Sequence, residues 1–300
     1  MRVCVTGGAG FIGSHTVEAL VRGGHEVVVL DDLSSGRREN LGDFPVDLIV
    51  GDVRHADAVR RAVHGAAAVV HFAGYISVPG SIADPVGSSE INLVGTSHVL
   101  AEGRRAGVGR VIFASSAAVY GDVETSPVAE SVPKQPTSPY GVQKLAGEHL
   151  CRVSAQTGGP DALSFRFFNV YGERQSPDSD YAAVVPIFRD RCRRGLPLRI
   201  FGDGRQTRDF VQVTDVAGAI VRAVEADGRF GGESLNLARG ETTSIKELAR
   251  EIATAAGVEC TIEYGEPRPG DILHSVADLT RLREVLAWTP PTALAAGLRF

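Results

Sequence analysis

Met1-Arg-Val-Cys-Val-Thr6 runs directly into Gly7-Gly-Ala-Gly10-Phe11-Ile12-Gly13. The first segment is a short, continuous apolar run, as a fully buried strand shows. The glycines end it and open a helix expected from about Ser14 to Arg22. A second apolar run, Val27-Val-Val-Leu30, closes on Asp31-Asp32. Strand, glycine-rich turn, helix, strand and acid, in that order, form the context in which such a turn binds a dinucleotide. The glycines let the backbone approach a pyrophosphate, and the helix N-terminus faces its charge. Asp31 lies 18 residues past Gly13, close to the spacing at which an acid takes a ribose 2′-hydroxyl. A 2′-phosphate would meet a carboxylate there, so NAD is expected rather than NADP. Arg37 and Arg38 pull the other way.

The alternation continues down the chain. Strands are expected at 2–6, 26–30, 46–50, 67–72, 110–115 and 162–167. Helices lie between them, including 87–106 and 139–157. The fold class is therefore α/β, a doubly wound parallel sheet (Rossmann fold) covered on both faces. Ligands bind at the carboxyl ends of such strands. Gly7, Asp31, Phe72, Ser115, Ser116 and Asn169 all stand at or just past those ends. Gly10, Phe11, Ile12, Gly13, Asp32, Asp52, Val53, Ala73 and Phe167 complete the expected cofactor surface. Residues 1–168 and 207–238 are expected to form the NAD-binding domain. The Pro- and Arg-rich remainder, 169–206 and 239–300, is expected to form a smaller, interleaved α/β substrate domain.

Tyr140-Gly-Val-Gln-Lys144 carries the chemistry. Four residues apart on a helix, a phenol and an ammonium share one face. Thr137-Ser138 offers a cap and Pro139 suits the first helical position. Val142, Leu145, Ala146 and Leu150 supply an apolar stripe. The Lys charge and the positive end of the helix dipole both favour a phenolate, which predicts a lowered Tyr140 pKa. Lysine stands at only three positions, 134, 144 and 246, among 31 basic residues. Its retention at 144 points to a need for a compact ammonium.

Composition excludes several classes. Apolar residues make up 43% and charged residues 22% of the chain, which is ordinary for a globular protein. A net charge of -5 gives no reason to expect nucleic acid. No apolar run reaches membrane-spanning length. The first residues read as a strand rather than a signal peptide, so a cytoplasmic protein is expected. Cys4, Cys151, Cys192 and Cys260 are far apart, with no metal-type spacing, and are expected as reduced thiols. His71, inside an apolar run, reads as structural.

The Gly7-x-x-Gly10-x-x-Gly13 spacing with Tyr140-x-x-x-Lys144 resembles the extended short-chain dehydrogenase/reductase superfamily. Within it, the chain is similar over nearly its whole length to the UDP-glucose (UDP-galactose) 4-epimerases. Leu30-Asp-Asp-Leu-Ser-Ser-Gly36, His71-Phe-Ala-Gly74, Ala114-Ser-Ser-Ala-Ala-Val-Tyr-Gly121, Arg166-Phe-Phe-Asn-Val-Tyr-Gly172, Phe201-Gly-Asp-Gly204, Thr207-Arg-Asp-Phe210 and Arg268-Pro-Gly-Asp271 carry the likeness. The resemblance implies an isomerase with tightly bound NAD and a UDP-sugar substrate, working as a homodimer through the helices at 87–106 and 139–157. It implies that Tyr140 takes the proton of the sugar 4-hydroxyl and that Ser116 hydrogen-bonds the same oxygen. Lys144 would hold the nicotinamide ribose. Arg208 and Arg268 would hold the diphosphate, Asp271 a ribose hydroxyl, Asn169 the phosphate or sugar, and Phe201 the uracil.

Relatives that eliminate water place Asp and Glu directly after the catalytic hydroxyl. Here Ala117 and Ala118 follow Ser116, which speaks against a 4,6-dehydratase, and a uronate decarboxylase would carry a Glu nearby. A non-catalytic NAD-sensing module would usually lose the Tyr/Lys pair. Ser275 stands where a bulky residue excludes N-acetyl groups, so UDP-GlcNAc and UDP-GalNAc are expected to fit. Ser176 and Asn169 differ from the residues of glucuronate epimerases, whereas Arg174 keeps a uronate open. Ile76 replaces a Lys found in some relatives.

Overall fold

The structure, a computed structural model, describes residues 1–123, 125–177, 183–267 and 273–299. Arg268 and Asp271 lie outside the described residues. The strands are β1 (Arg2–Thr6), β2 (Glu26–Asp31), β3 (Val46–Val50), β4 (Ala68–His71), β5 (Arg110–Ser116) and β6 (Asp161–Phe167), followed by β7 (Asn169–Tyr171), β8 (Leu198–Phe201), β9 (Thr207–Arg208), β10 (Phe210–Gln212), β11 (Glu233–Leu237), β12 (Thr243–Ser244) and β13 (Ile262–Gly265). Seven of them make one parallel sheet in the order β11-β6-β5-β4-β1-β2-β3. The chain winds outward from β1 to β3, then crosses back to β4 and winds the other way. Strand order thus reverses between β1 and β4, the point at whose carboxyl ends sheets of this kind bind their ligands.

Residues alternate between the two faces as the strand period of two requires. Val3, Val5, Val27 and Val29 face a cluster with Val17 and Leu20 of α1 (Phe11–Arg22). Cys4, Val28 and Leu30 face the opposite cluster with Val59 of α2 (Ala56–Val63). Burying each such Val or Leu contributes roughly 1.5–3 kcal/mol. Around the sheet stand α3 (Val78–Ala83), α4 (Pro85–Ser89), α5 (Gly95–Ala106) and α6 (Pro139–Gln156). They are followed by α7 (Val184–Arg193), α8 (Val213–Glu225), α9 (Ile245–Ala256) and α10 (Thr280–Leu286). A third cluster gathers Tyr171, Phe188, Leu198, Ile200, Phe210, Leu248 and Ile252. Leu282 and Leu286 of α10 pack instead with Val216 and Ile220 of α8, under the large sheet.

The expected strands differ from the observed ones by a residue at most at most ends. Helix α1 starts at Phe11, three residues earlier than expected, because Gly10 is its N-cap. The helix expected over 87–106 begins at Pro85, where the Asp84 carboxylate accepts the Gly87 N–H at 2.9 Å. It also contains a π-helical turn over Glu90–Val94 that no periodicity signals. Helix α6 matches its signals: Ser138 Oγ accepts the Gly141 N–H at 3.2 Å and Pro139 opens the helix. The four cysteines are free thiols. Although distant in sequence, Cys192 and Cys260 bring their Sγ atoms within 3.0 Å of each other.

Candidate active site

The glycine turn is built for close approach. Gly7 sits at φ +69°, and a Cβ there would lie 2.7 Å from the Ala73 nitrogen. A Cβ at Gly13 would lie 2.1 Å from the Gly7 carbonyl oxygen. No side chain caps α1 at Gly10. Its first-turn N–H groups and the positive end of its dipole are therefore presented to an incoming anion. This turn, packed too closely on itself and on Ala73 to admit a Cβ at Gly7 or Gly13, and with free helix N–H groups at its end, fits the pyrophosphate of a dinucleotide.

Asp31 closes β2 with its side chain buried. Its carboxylate accepts the Ala9 N–H and the Leu33 N–H, both at 2.9 Å. One side chain thereby pins the glycine loop and its own following turn. Burial raises its pKa, against the pull of those two N–H groups. Leu33 is held at φ +60°, a conformation that costs a bulky residue of order 1–3 kcal/mol. About two of the carboxylate's four lone-pair sites remain for a ribose hydroxyl. Exposed Asp32 accepts from the Ser34 N–H at 2.9 Å and its hydroxyl at 2.6 Å. Past β3, Asp52 accepts from the Arg54 N–H, Nε and Nη2, and those bonds hold its pKa below the usual carboxylate range. Val53 beside it is buried. Phe72 and Phe167, at the ends of β4 and β6, stack with centroids 6.4 Å apart. Ala73 donates its N–H to the Thr6 carbonyl at 3.1 Å.

Tyr140 and Lys144 rise from the first turns of α6 against the end of β5. The Tyr140 N–H donates to Ser81 Oγ at 3.1 Å. Lys144 Nζ donates to the Ala114 carbonyl at 2.8 Å and lies 5.8 Å from the Tyr140 ring centroid. Burial lowers the Lys144 pKa to about 8. The expected lowering of the Tyr140 pKa is not what the structure shows. Burial raises it, and the Ser116 side chain, by hydrogen-bonding the phenol, draws it only partway back. Desolvation of a phenolate outweighs an ammonium that is itself desolvated and turned toward a carbonyl. Ser116 ends β5, and its Oγ also accepts the Ala118 N–H at 3.2 Å.

The residues expected to meet the substrate are spread over the short strands. Asn169, opening β7, donates its side-chain amide to the Asp209 carbonyl at 3.2 Å. The Arg199 guanidinium lies 5.3 Å from the Phe201 ring centroid, at the end of β8. Half-buried Arg208 on β9 donates from Nη1 to the Thr207 carbonyl at 2.8 Å. Ser275 is half-buried, next to His274, whose ring meets Thr207 Oγ1 at 3.0 Å. Arg174 is drawn to the cofactor side instead: at φ +62°, it pairs with Glu18 of α1 at 2.5 Å.

The family described as "NAD dependent epimerase/dehydratase family" matches residues 3–238. The chain belongs to this family. It is 42% identical over 304 residues to the UDP-glucose 4-epimerase of Mycolicibacterium smegmatis, covering 99% of this chain and 96% of that one. Among solved structures, the UDP-N-acetylglucosamine 4-epimerase of Methanobrevibacter ruminantium, in complex with UDP-N-acetylmuramic acid, superposes with a TM-score of 0.94 at 35% identity, covering 99% of this chain and 96% of that one. The Thermotoga maritima UDP-glucose 4-epimerase with UDP-glucose gives 0.93 at 36% identity, covering 100% and 96%.

In this family member, several polar residues at the site escape a reading of the sequence. Asn92, in the π turn, accepts the Tyr75 N–H at 2.8 Å and donates to the Tyr75 carbonyl at 2.9 Å and to Gln143 Oε1 at 2.7 Å. An Asn inside a helix, where its propensity is poor, was the available signal. His71 lies between Thr6 Oγ1 at 2.7 Å and Thr96 Oγ1 at 3.0 Å. Thr96 spends its own proton on the Asn92 carbonyl, so His71 donates from Nε2 and accepts at Nδ1. Burial pushes its pKa down to about 3, which makes it the neutral structural residue expected. Glu148 and Arg166 form a buried ion pair at 2.7 Å under the end of β5.

Proposed function

We propose that this chain interconverts UDP-glucose and UDP-galactose through a transient 4-keto sugar. The observation that carries the reading is the gathering of Tyr140, Ser116 and Lys144 at the end of β5, with Ala117 and Ala118 beside them. A base and a hydroxyl donor can start an oxidation at C4. No carboxylate follows Ser116 to divert the ketone into elimination. NAD, held by Gly7–Gly13 and the Asp31 carboxylate, supplies the hydride acceptor and donor when bound. Tyr140 takes the proton of the sugar 4-hydroxyl, and Ser116 steadies the charge on that oxygen. Lys144, with one N–H on the Ala114 carbonyl, has two more with which it would hold the nicotinamide ribose. Arg208, Arg268, Asp271, Asn169 and Phe201 anchor the UDP moiety while the keto sugar turns. Tyr140 then returns the proton to the inverted alcohol.

Two features support a neutral sugar. The Arg174 guanidinium, which would favour a uronate, is paired with Glu18. Ser275 is small enough to leave room for an N-acetyl group, in keeping with the UDP-N-acetylglucosamine 4-epimerase likeness. We read the enzyme as a homodimer, joined through α5 and α6. Val142 and Val153 on the outer face of α6 are 51% and 55% exposed. A shallow apolar groove between the helices is lined by Leu100, Ala101 and Leu150. Free, buried Cys4 and Cys151 suit a reducing, cytoplasmic setting. Among the described residues no helix is long and apolar enough to cross a membrane. Residues 1–168 with 207–238 serve as the cofactor lobe, and 169–206 with 239–300 as the substrate lobe, whose α10 packs back under the large sheet.

The test is incubation of the purified protein with UDP-galactose, UDP-GlcNAc and UDP-glucuronate in turn, without added NAD. The first two should yield their C4 epimers. Turnover of UDP-glucuronate alone would reject the neutral-sugar reading, and turnover of none would reject the reaction.

A further inference from the structure

Three residues of α6, spaced i, i+4 and i+8, engage three consecutive residues at the end of β5. The Tyr140 phenol stands beside the Ser116 side chain, which draws its pKa down against burial, Lys144 donates to the Ala114 carbonyl at 2.8 Å, and Glu148 accepts the Ser115 hydroxyl at 2.6 Å. The first two are the reacting pair of the proposed epimerisation, on which this inference rests. The third is buried, with its carboxylate taken up by Ser115 and Arg166. We propose that Glu148 is a positioning residue, completing a clasp that sets how Tyr140 faces Ser116.

The geometry favours a precise registration. Four helical residues advance about 6 Å, so the three contacts form a line down one face of α6. At Gly147, between the second and third contacts, a Cβ would lie 2.5 Å from the Phe113 ring. The helix therefore lies closer to β5 than a side chain there would allow. Glu148 is almost fully buried, and its charge is met by Arg166 of β6, from Nε at 2.8 Å and Nη2 at 2.7 Å. Arg166 Nη1 donates to the Tyr120 hydroxyl at 2.9 Å, which donates to Asn236 Oδ1 on β11 at 2.6 Å. The clasp is thus tied through three neighbouring strands. A well-packed apolar group could replace a buried ion pair at little cost in stability. An apolar group could not fix the direction of Ser115, one residue from the hydroxyl that meets the phenol.

The test compares Ser115→Ala, Ser115→Thr and Glu148→Gln with the native protein. Ser115→Ala removes one hydroxyl and leaves no buried charge unpaired, so it keeps the proposal testable should Glu148→Gln fail to fold. It should lower kcat about tenfold, because sub-ångström misplacement of reacting groups is that costly, with KM for UDP-galactose within about twofold. Ser115→Thr, which keeps the hydroxyl, should recover most of the loss. The titration of Tyr140, followed by ultraviolet absorbance as the difference from Tyr140→Phe, should move to higher pH in Ser115→Ala as the Ser116 bond loosens. That readout does not depend on turnover, so it separates failure of the clasp from failure of the epimerase reading. Unchanged kcat and an unmoved Tyr140 titration in Ser115→Ala would overturn the proposal.

Discussion

Replacing Tyr120 by Phe removes a single oxygen from a site that is 2% exposed. That oxygen accepts from Arg166 Nη1 at 2.9 Å and donates to Asn236 Oδ1 at 2.6 Å. Phe leaves one charged donor and one amide acceptor buried without this partner. Arg166 Nη1 retains only a 3.4 Å contact with the Glu130 carbonyl. Loss of a bond to a charged group costs about 2 kcal/mol and to a neutral one about 1 kcal/mol. The sum is about 3 kcal/mol, with no methylene removed and no cavity larger than a hydroxyl. A chain of this length unfolds with an entropy of about 0.6 kcal/mol per kelvin, so the melting temperature should fall by about 5 °C. The assay is thermal unfolding followed by circular dichroism, with Tyr264→Phe as control, since Tyr264 is 53% exposed. The control should melt within about 1 °C of the native protein. A Tyr120→Phe variant that does the same would refute the reasoning that this hydroxyl carries the buried network.

Asp209 accepts the N–H groups of Arg239, Gly240 and Ala277, and burial raises its pKa to about 6. A folded-state pKa raised above the unfolded carboxylate value makes the native state hold the extra proton, so this contribution is present below about pH 4 and lost as pH rises through 6. The loss approaches about 3 kcal/mol at neutral pH. Denaturation of Asp209→Asn should lack that pH slope, and an identical slope in both proteins would contradict the assignment. Gly13→Ala forces a Cβ to within 2.1 Å of the Gly7 carbonyl oxygen; the purified variant should release little or no NAD on denaturation, and a full complement would be the contrary result. Val153→Glu places a charge on the exposed face of α6 and, on the proposed dimer, should shift sedimentation toward the monomer while leaving the circular dichroism spectrum unchanged; identical sedimentation of both proteins would count against that dimer.

The fold was legible because its signals are local. The apolar runs around Val3–Val5 and Val27–Leu30, the glycine turn and the Ser138-Pro139 cap each dictate backbone conformation within a few residues. That Tyr140 and Lys144, the proposed catalytic pair, share one face of α6 was legible for the same reason, since their spacing is one helical turn. What escaped depends on contacts between distant segments. A poor helix former at Asn92 is the sole local hint of the π turn, and it says nothing of the Tyr75 and Gln143 contacts that the turn gives its amide. Glu148 reads as an ordinary helix acid until β5 and β6 bring Ser115 and Arg166 to it. The Tyr140 pKa went the other way from the expectation because a pair spacing reports a nearby charge but not the burial that opposes it. Arg268 and Asp271 still rest on resemblance.

The central claim is that a hydrogen leaves C4 and returns to the opposite face of the same carbon. UDP-galactose bearing deuterium at C4, incubated with the native protein in ordinary water, tests it directly. The account predicts UDP-glucose that keeps its deuterium at C4, and no conversion by Tyr140→Phe above about a hundredth of the native rate. UDP-glucose with the deuterium exchanged for solvent hydrogen would contradict it.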